Sequence, residues 1–354
     1  MTPWQAMPWP QRVKYAAKLA TASVLHATGL LPWYLRRTLR GQMLVLMYHR
    51  VLTPEAAAAC WSHRAIVVER ATFERHMAAI RRYFDVLSLD AFERRLAAAD
   101  PDAPPACLVT FDDGWRDTYT DAWPVLRRHD IPALVFLPVQ FIGATARFWQ
   151  EEMGALLHQI WERARADAPF AQAARPVLAS IDALALLDAP PARVRQVAMD
   201  LAQQRKRADP AGAAATLDRL VALVGPDQAP HGDRFMTWAE VREMAAAGIA
   251  FGGHSVTHRI MTTLPVDEVR REAVGSRERI EHELGTVTAF SYPNGDWNPE
   301  VARIVGEAGY RVAFSTQPGP VGAAADRLAL RRVNIHEDVT RAVPLFLARI
   351  GGVF

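Results

Sequence analysis

Cysteine is scarce in this sequence, since only Cys60 and Cys107 occur among the 354 residues. Two cysteines cannot form a disulfide framework, and these two lie too far apart in the chain to form a CxxC pair. Any metal site must therefore use histidine and carboxylate ligands. The sequence also lacks a phosphate-binding loop of the GxxxxGK(S/T) type, which leaves phosphoryl transfer without support, and it shows no internal repeat of fixed period.

Acidic residues are absent from residues 1–40, although this segment carries six cations. The remaining residues carry 35 bases against 38 acids, so the body of the protein gives no reason to expect nucleic-acid binding. Because Trp4, Trp9 and Trp33 lie among the cations, we predict a basic amphipathic N-terminal arm that contacts an anionic membrane surface. The alternatives are a basic helix packed on the body and a frayed end. The six cations are Arg12, Lys14, Lys18, Arg36, Arg37 and Arg40.

A long uninterrupted apolar run is also missing. The apolar stretch from Leu19 to Leu35 is broken by His26, Gly29 and Pro32, which is too weak for a transmembrane span. The N-terminus also does not follow the order of charged, apolar and small residues that marks a secretory signal. The hydrophobic share of 50% and the charged share of 22% are typical of a globular protein, which excludes disorder.

Short apolar runs alternate with helical patterns from residue 41 onwards. Asp90 with Glu93 and Thr237 with Glu240 have the spacing of capping boxes, which predicts two helix starts. This alternation predicts an α/β fold with a parallel sheet, either closed as a barrel or open and doubly wound. Residues of about 150–235 are rich in Ala, Arg and Pro and predict a helical insertion. The predicted strands are Met43 to Tyr48, Val86 to Leu89, Ala106 to Phe111, Ala133 to Leu137, Ile249 to Phe251, Ala289 to Tyr292 and Tyr310 to Phe314.

Polar clusters follow three of the predicted strands, where the working residues of an α/β barrel lie. Asp112 and Asp113 come directly after one strand, and His254 and His258 come after another. The stretch from Phe290 to Asp296 follows a third. Each cluster alone is more often a turn or a structural feature. Together, one carboxylate and two imidazoles suffice for an open divalent metal site, and the second carboxylate is left to accept a proton.

The Thr-Phe-Asp-Asp-Gly segment around Asp112 and the His-Ser-Val-Thr-His segment from His254 to His258 resemble the first two motifs of the polysaccharide deacetylases, carbohydrate esterase family four. The segments Met47 to Val51 and Phe290 to Gly295 resemble the branch that contains poly-N-acetylglucosamine deacetylases. The motifs cover residues of about 43–137 and 236–315. The resemblance implies a distorted (β/α) barrel with fewer than eight complete units over residues 41–354, interrupted by the helical insertion.

The same resemblance implies the activity, which is metal-dependent hydrolysis of N-acetyl groups on a sugar in a polysaccharide, an oligosaccharide or a lipid-linked glycan. Asp113, His254 and His258 would hold a divalent metal, most often Zn²⁺, and Asp112 would be the general base toward metal-bound water that attacks the acetyl carbonyl. We expect a bacterial protein in the cytoplasm or at the inner membrane surface, with an exported location left open.

The resemblance also requires a general acid, since an amine leaves poorly unless it is protonated. His336 in Val-Asn-Ile-His is the best match, although Asn334 stands where an aliphatic residue is expected, and a surface histidine is the alternative. Ser291 occupies the position where many family members carry an arginine that orients the base. An Asp-Trp pair, which would form the fourth motif, is missing between Tyr310 and Arg331.

Four further residues are candidates for substrate contact, namely Tyr292, Asn294, Trp149 and His49, although aromatic residues at such positions more often serve packing. His49 could equally be a core histidine whose ring nitrogens are hydrogen-bonded.

We consider two other functions. A non-catalytic glycan-binding or assembly protein on a deacetylase scaffold would have no physical need for Asp112. A non-haem iron oxygenase could use the HxD pattern of His231 and Asp233, but it would need an antiparallel jelly roll.

Overall fold

The computed structural model describes residues 9–144, 149–208, 212–225 and 235–354. The described chain divides into two compact units. The first contains residues 9–58 together with Arg64–Ala144 and Phe235–Phe354, and the second contains Ala59–His63 with the described residues between 149 and 225. His231 and Asp233 of the HxD pattern lie outside the described residues, as does Trp4.

The first unit is built on a parallel sheet whose strand order is β10-β1-β5-β6-β7-β8-β9, with β4 paired to β5 at its start. A separate pair, β2 and β3, is also parallel. The strands are β1 Met43–Tyr48, β2 Arg50–Leu52, β3 Val67–Glu69, β4 Asp85–Val86, β5 Ala106–Phe111, β6 Ala133–Leu137, β7 Ala250–Gly253, β8 Ala289–Ser291, β9 Val312–Phe314 and β10 Val333–Asn334.

Helices surround this sheet and fill the second unit. In chain order they are α1 Trp9–Ala27, α2 Leu30–Thr38, α3 Pro54–Ala59, α4 Arg70–Tyr83, α5 Leu89–Ala98, α6 Trp123–Arg128, α7 Trp149–Ala166, α8 Ala168–Ala179, α9 Val194–Ala208, α10 Ala213–Val224, α11 Trp238–Ala246, α12 Val266–Leu284, α13 Pro299–Glu307, α14 Glu337–Thr340 and α15 Val343–Ile350.

The segment from Leu330 to Asn334 connects the two ends of the sheet. Leu330 exchanges backbone hydrogen bonds with β9, where its N–H donates to the Ala313 carbonyl and its carbonyl accepts from Ser315 N–H. Four residues later, Asn334 is in register with Met47 of β1. The sheet therefore curls into a distorted barrel with fewer than eight complete β/α units, as the resemblance implies. The described strands are all parallel, which excludes the jelly roll that the oxygenase interpretation needs.

The interior of the barrel contains a core of apolar side chains. Alternate residues of neighbouring strands point inward and pack together, because side chains of a strand alternate between its two faces. Val45, Leu108 and Phe136 are fully buried there and belong to one cluster with Ala289 and Phe314. This packing fixes the register of the strands and thereby the positions of the loops at their carboxyl ends.

The N-terminal arm is helical from Trp9 onwards and packs on the first unit. Helix α1 contacts α15, and Ala22 of α1 and Leu31 and Leu35 of α2 are buried. His26 Nε2 lies 3.1 Å from the Tyr83 hydroxyl. Within the described residues, no helix combines the length and the apolar content that crossing a bilayer requires.

The second unit is a helical cluster formed by α7, α8, α9 and α10 around its own apolar core. Leu156, Leu157 and Ile160 of α7 are fully buried, as is Leu220 of α10. The indole of Trp161 donates a hydrogen bond of 2.9 Å to the Ala189 carbonyl. Each helix therefore buries one apolar stripe against the others.

One predicted strand was placed wrongly. Residues 85–86 form β4, whereas the prediction assigned Val86 to Leu89 to a strand. Helix α5 already starts at Leu89, because Ser88 caps it by accepting a hydrogen bond of 3.3 Å from Ala91 N–H. The predicted cap at Asp90 is thus wrong by two positions, since Asp90 lies in the first turn of α5. The capping box of Thr237 with Glu240 is confirmed.

Candidate metal and catalytic site

The candidate site lies at the carboxyl ends of the parallel strands, where loops from neighbouring strands meet. Asp112 and Asp113 follow β5, and His254 follows β7 directly. His49 follows β1, and the segment Arg332–His336 spans β10. Residues from four strands therefore reach one edge of the barrel, although they are far apart in the sequence.

Asp113, His254 and His258 form a cluster whose ligand atoms all lie within 4.8 Å of one another. His254 Nε2 lies 3.4 Å from Asp113 Oδ1, and His258 Nε2 lies 3.2 Å from the same oxygen. All three side chains are at least 90% buried. The structure therefore brings the three predicted metal ligands together.

The backbone of these loops takes conformations that turn the side chains toward each other. Asp113 and His258 have φ of 72° and 58°, in the left-handed region that only a few residue types enter without cost. A side chain at Gly253 would collide with the Tyr310 hydroxyl, so glycine lets β7 approach this tyrosine closely just before His254. Two of the three candidate metal ligands thus have positive φ, a conformation that is often found at functional sites.

The imidazole of His254 is fixed by a backbone carbonyl. Its Nδ1 lies 2.7 Å from the Ser291 carbonyl oxygen, so Nδ1 carries a proton and donates it there. Its Nε2 then faces Asp113 with a lone pair. A lone pair beside a carboxylate oxygen is unfavourable unless positive charge lies between them, supplied by a proton or by a cation. This pattern is typical of metal-binding histidines.

The loop that carries His258 is held by Glu272 of α12. The Glu272 carboxylate accepts hydrogen bonds from Val256 N–H at 2.7 Å, from Thr257 N–H at 2.9 Å and from the Thr257 hydroxyl at 2.5 Å. His258 N–H donates to Ser255 Oγ at 2.9 Å. These bonds fix the turn between the two histidines, so the spacing of the HxxxH motif becomes a defined geometry.

The second oxygen of Asp113 is held by an indole. Trp115 Nε1 donates to Asp113 Oδ2 at 3.1 Å, which leaves Oδ1 directed at the histidines. The Arg50 guanidinium lies over the Trp115 ring, 4.3 Å from a ring centroid, and its Nε donates to Asp117 at 2.7 Å. Phe235 stacks on Trp115 with ring centroids 4.5 Å apart. This buried network fixes the orientation of the Asp113 carboxylate.

Asp112 is held by Arg332, which the sequence analysis missed. Arg332 Nη1 and Nη2 each donate to one oxygen of Asp112 at 2.7 Å, and Nη2 also donates to Ser291 Oγ at 2.8 Å. Its Nε donates to the Ser315 carbonyl at 2.9 Å, and the side chain is fully buried. Ser291, where an arginine was expected, thus contacts an arginine from another strand. A charged residue just before Val333 in a strand-like segment was the only sequence signal.

The pKa of Asp112 reflects two opposing effects. Burial has the largest single effect and raises the pKa of this carboxyl group, but the charge and hydrogen bonds of Arg332, together with the neighbouring His254 and His49, outweigh burial and hold the pKa below its ordinary value. For Asp113, burial again raises the pKa, but hydrogen bonds from His254 and His258, together with the charge of His258, bring the pKa well below the ordinary value. Both carboxylates are therefore ionised at neutral pH, as a metal ligand and a general base require.

His49 lies beside Asp112, with 3.9 Å between His49 Nε2 and Asp112 Oδ2. Burial lowers the pKa of His49, so its ring is neutral at pH 7. Its Nδ1 is buried and has no hydrogen-bond partner within the described part of the chain. His49 therefore lies next to Asp112 at the candidate site.

His336 lies two residues beyond β10 at the start of α14 and is partly buried. Because Met47 is in register with Asn334, continuing the pairing puts His336 level with His49 at the same edge of the barrel. Asn334, at the position expected to be aliphatic, donates to the Ala65 carbonyl at 3.0 Å. The topology thus brings His336 to the catalytic edge.

The remaining candidates for substrate contact are placed differently. Tyr292 is fully buried, and its hydroxyl donates to the Leu328 carbonyl at 2.7 Å, so it supports the wall behind β8. Asn294 is exposed, and its amide donates to Asp296 at 2.7 Å. Trp149 begins α7, and its side chain lies outside the described part of the structure.

The three ligands fit a divalent metal. A tetrahedral ion with bonds of about 2.0–2.1 Å to nitrogen or oxygen holds its ligand atoms about 3.3 Å apart. The distances of 3.4 Å and 3.2 Å from Asp113 Oδ1 to the two histidine nitrogens match this spacing. Two imidazoles and one carboxylate are also a donor set that leaves coordination positions open for water and substrate.

Comparison with known proteins supports the resemblance. Residues 99–166 and 215–313 match the family model described as Polysaccharide deacetylase. The chain is 20% identical over 297 residues to YxkH of Bacillus subtilis (strain 168), a protein provisionally named a polysaccharide deacetylase, covering 83% of this chain and 72% of YxkH.

Two solved structures share the fold. IcaB from Ammonifex degensii has a TM-score of 0.55 at 18% identity, covering 88% of this chain and 97% of IcaB. The Streptococcus pyogenes deacetylase PplD, solved in complex with acetate, has a TM-score of 0.53 at 18% identity, covering 85% of this chain and 95% of PplD. At this level of identity the likeness concerns the architecture, and it confirms the distorted barrel.

Proposed function

We propose that this chain, whose residues 99–166 and 215–313 match the polysaccharide deacetylase model, is a hydrolase that removes acetyl groups from an N-acetylated glycan with Asp112 as the general base. The observation that carries the proposal is the position of Asp112. It lies next to the ligand cluster, is held by Arg332 rather than by the histidines, and is ionised at neutral pH. A scaffold that only binds glycans has no need for this free carboxylate.

Asp113, His254 and His258 would hold the metal, and we propose Zn²⁺. Such an ion would act as a Lewis acid that polarises the acetyl carbonyl and makes water acidic enough to react at neutral pH. Trp115 and the Ser291 carbonyl orient two of the ligands, so the site is prepared before any ion arrives.

Asp112 accepts a proton from the attacking water while the new C–O bond forms at the acetyl carbon. A carboxylate has about four lone-pair positions, and Arg332 takes only two, so Asp112 can still accept this proton. The C–N bond then breaks, and the leaving nitrogen must gain a proton. We propose that His336 donates it. The products are acetate and the free amine of the sugar.

Acetate release from N-acetylglucosamine oligomers and polymers tests this proposal. We expect the metal-loaded protein to release acetate, and we expect Asp112→Asn to be slower by a factor of about 10² to 10⁴. Asp326→Asn, at an exposed carboxylate, is the matched control. Activity that survives both a chelator and Asp112→Asn would contradict the proposal. Glycan binding without acetate release from any substrate would favour the non-catalytic alternative.

His336 can be tested with two substrates that differ in their leaving group. An amine needs protonation to leave, whereas a nitrophenolate does not. We expect His336→Gln to lose most of its activity on the N-acetyl sugar but to keep most of its activity on 4-nitrophenyl acetate. An equal loss on both substrates would assign His336 a structural role.

We also propose that residues 9–40 bring the enzyme to an anionic membrane surface. Of the eight large apolar side chains that are exposed in the described chain, five lie on this arm, which carries cations and no acid. Flotation of the full chain with anionic vesicles tests this contact, with Trp9→Ser/Trp33→Ser as the variant. Unchanged flotation of this variant would contradict it. The five side chains are Trp9, Val13, Val24, Leu30 and Trp33.

A further inference from the structure

A groove of about 470 Å³ lies where the arm meets the barrel, and four arginines line it. Arg36 lies in the last turn of α2, Arg40 lies two residues beyond its end, and Arg81 and Arg82 come from the last turn of α4. All four side chains are exposed to solvent. Two separate helices therefore direct guanidinium groups into one concave surface.

The acidic residues around this groove do not neutralise it. Asp102 pairs with Arg40 at 3.1 Å, and Asp85 lies 3.6 Å from Arg95, which is not one of the four arginines. Within the described part of the chain, Arg36 and Arg82 have no acidic partner. The groove thus offers two guanidinium groups whose charge is not balanced by the protein.

The groove lies at the opposite end of the barrel from the metal ligands. Arg40 comes just before β1, Phe84 just before β4, and Pro105 just before β5. Asp112 and Asp113 follow the carboxyl end of β5. Since a strand advances about 3.3 Å per residue, the six residues of β1 or β5 separate the two ends by about 17 Å.

Helix α2, which supplies Arg36 to the groove, also carries an exposed tryptophan. Leu31 and Leu35 form the buried face of the helix, and Trp33 lies on the opposite face, one turn before Arg36 and Arg37. Trp33 is 60% exposed. An indole next to arginines is typical of protein segments at the boundary between lipid headgroups and acyl chains.

From these observations we propose that the arginine groove binds the phosphate of an anionic phospholipid headgroup. Guanidinium groups form paired, charge-assisted hydrogen bonds with phosphate oxygens, and Trp33 supplies the apolar contact that a free anion would not use. The inference rests on the proposed membrane contact of the arm and gives that contact a specific ligand. Docking through this end leaves the catalytic edge of the barrel directed away from the bilayer, toward a glycan in solution.

Vesicle sedimentation of the full chain tests this site, with phosphatidylcholine vesicles compared with vesicles that also contain phosphatidylglycerol. Arg36→Gln/Arg82→Gln is the variant, and Arg271→Gln/Arg327→Gln removes the same charge from exposed positions on other elements. Each cation near an anionic surface raises the affinity for the membrane about fivefold. We therefore expect the groove variant, which lacks two cations, to bind anionic vesicles roughly 30-fold more weakly. The control variant should bind like the wild type. Thermal melting of all variants verifies that they are folded.

Three results would overturn the inference. Because vesicle binding is measured without any acetate release, these results do not depend on whether the chain is a deacetylase. If the wild-type chain ignores anionic vesicles, the membrane contact and the groove are both wrong. If the two double variants lose the same affinity, only the overall charge of the chain matters. If inorganic phosphate binds the wild type in calorimetry but Arg36→Gln/Arg82→Gln leaves vesicle binding unchanged, the groove is a site for free anions and not for lipid.

Discussion

Arg332 grips Asp112 through two parallel hydrogen bonds of 2.7 Å each, across the sheet from β10 to β5. The family resemblance places the orienting arginine at position 291, on β8, but Ser291 stands there and accepts a hydrogen bond from Arg332 at 2.8 Å. A small side chain on β8 leaves room for the guanidinium that arrives from the other side. The same charge therefore reaches Asp112 from a different part of the sheet.

Arg332→Lys should keep the charge but lose the paired geometry. An ammonium group is a point charge and cannot hold both oxygens of Asp112 as a guanidinium does. Since Arg332 lowers the pKa of Asp112, a weaker partner raises this pKa. We expect kcat/KM to fall at least tenfold at neutral pH and its acid limb to move to higher pH. The measurement is a pH profile of acetate release for both proteins.

Arg331→Lys is the matched control for this experiment, because Arg331 is the exposed neighbour of Arg332. It should leave the profile unchanged. Thermal melting separates loss of function from loss of fold, since removing one partner of a buried ion pair can cost about 3–5 kcal/mol. A folded Arg332→Lys protein with the wild-type acid limb would show that Arg332 does not set the pKa of Asp112.

The sequence predicts the barrel and the Asp113, His254 and His258 cluster far better than it predicts Arg332. Largely apolar runs give β1, β5 and β6 with their observed bounds, because a strand buried on both faces is mostly apolar. Local motifs that follow predicted strands, Asp-Asp-Gly and HxxxH, mark Asp113, His254 and His258 as candidate ligands. Arg332 contacts Asp112 across 220 positions of sequence, and no local pattern marks such a pair. The predicted bounds of β4 are wrong, because this strand is only two residues long and is followed closely by a helix.

Trp115→Phe should weaken metal binding while leaving the fold intact. Phenylalanine keeps the stacking on Phe235 but loses the N–H that donates to Asp113 Oδ2 at 3.1 Å. Loss of such a supporting hydrogen bond typically lowers metal affinity by about 10–100-fold. The dissociation constant for Zn²⁺ can be measured by competition with a chromophoric chelator. Trp123→Phe is the control, because the Trp123 indole N–H has no acceptor in the described part of the chain. Equal Zn²⁺ affinities of the two variants would contradict the role of Trp115.

His76 should make the fold sensitive to acid. The ring is fully buried between the Tyr48 hydroxyl at 3.2 Å and the Thr340 carbonyl at 2.7 Å, and burial lowers its pKa to about 3. Below the ordinary pKa of about 6.5, the unfolded chain binds a proton that the folded chain does not, so stability falls as pH drops from about 6.5 toward 3. The limiting slope is about 1.4 kcal/mol per pH unit.

Urea unfolding at pH 6.5 and pH 4.5 measures this effect. Between these two conditions the wild type should lose about 2 kcal/mol more free energy of unfolding than His76→Gln, which removes the titrating group. His282→Gln, at an exposed histidine, is the control and should lose as much as the wild type. If His76→Gln and the wild type respond to pH equally, His76 does not contribute to acid sensitivity.

Glu272 should be required for the geometry of the second histidine, although it belongs to no motif and touches no candidate ligand directly. Its carboxylate receives Val256 N–H and both donors of Thr257, so Glu272→Ala would leave two backbone N–H groups without their acceptor. Each unsatisfied buried group costs about 1–3 kcal/mol, and the turn can regain its bonds only by moving. We expect the free energy of unfolding to fall by about 2–4 kcal/mol.

The same movement displaces His258. Since loss of a group that supports a metal ligand typically weakens metal binding by about 10–100-fold, Glu272→Ala should also bind Zn²⁺ at least tenfold more weakly. Glu278→Ala removes an equal charge from the exposed face of α12 and should change neither quantity. The two measurements separate two roles. A variant that loses stability but keeps full metal affinity would show that Glu272 only anchors the helix. Loss of affinity in the folded variant, with excess Zn²⁺ restoring acetate release, would show that the carboxylate on α12 positions His258.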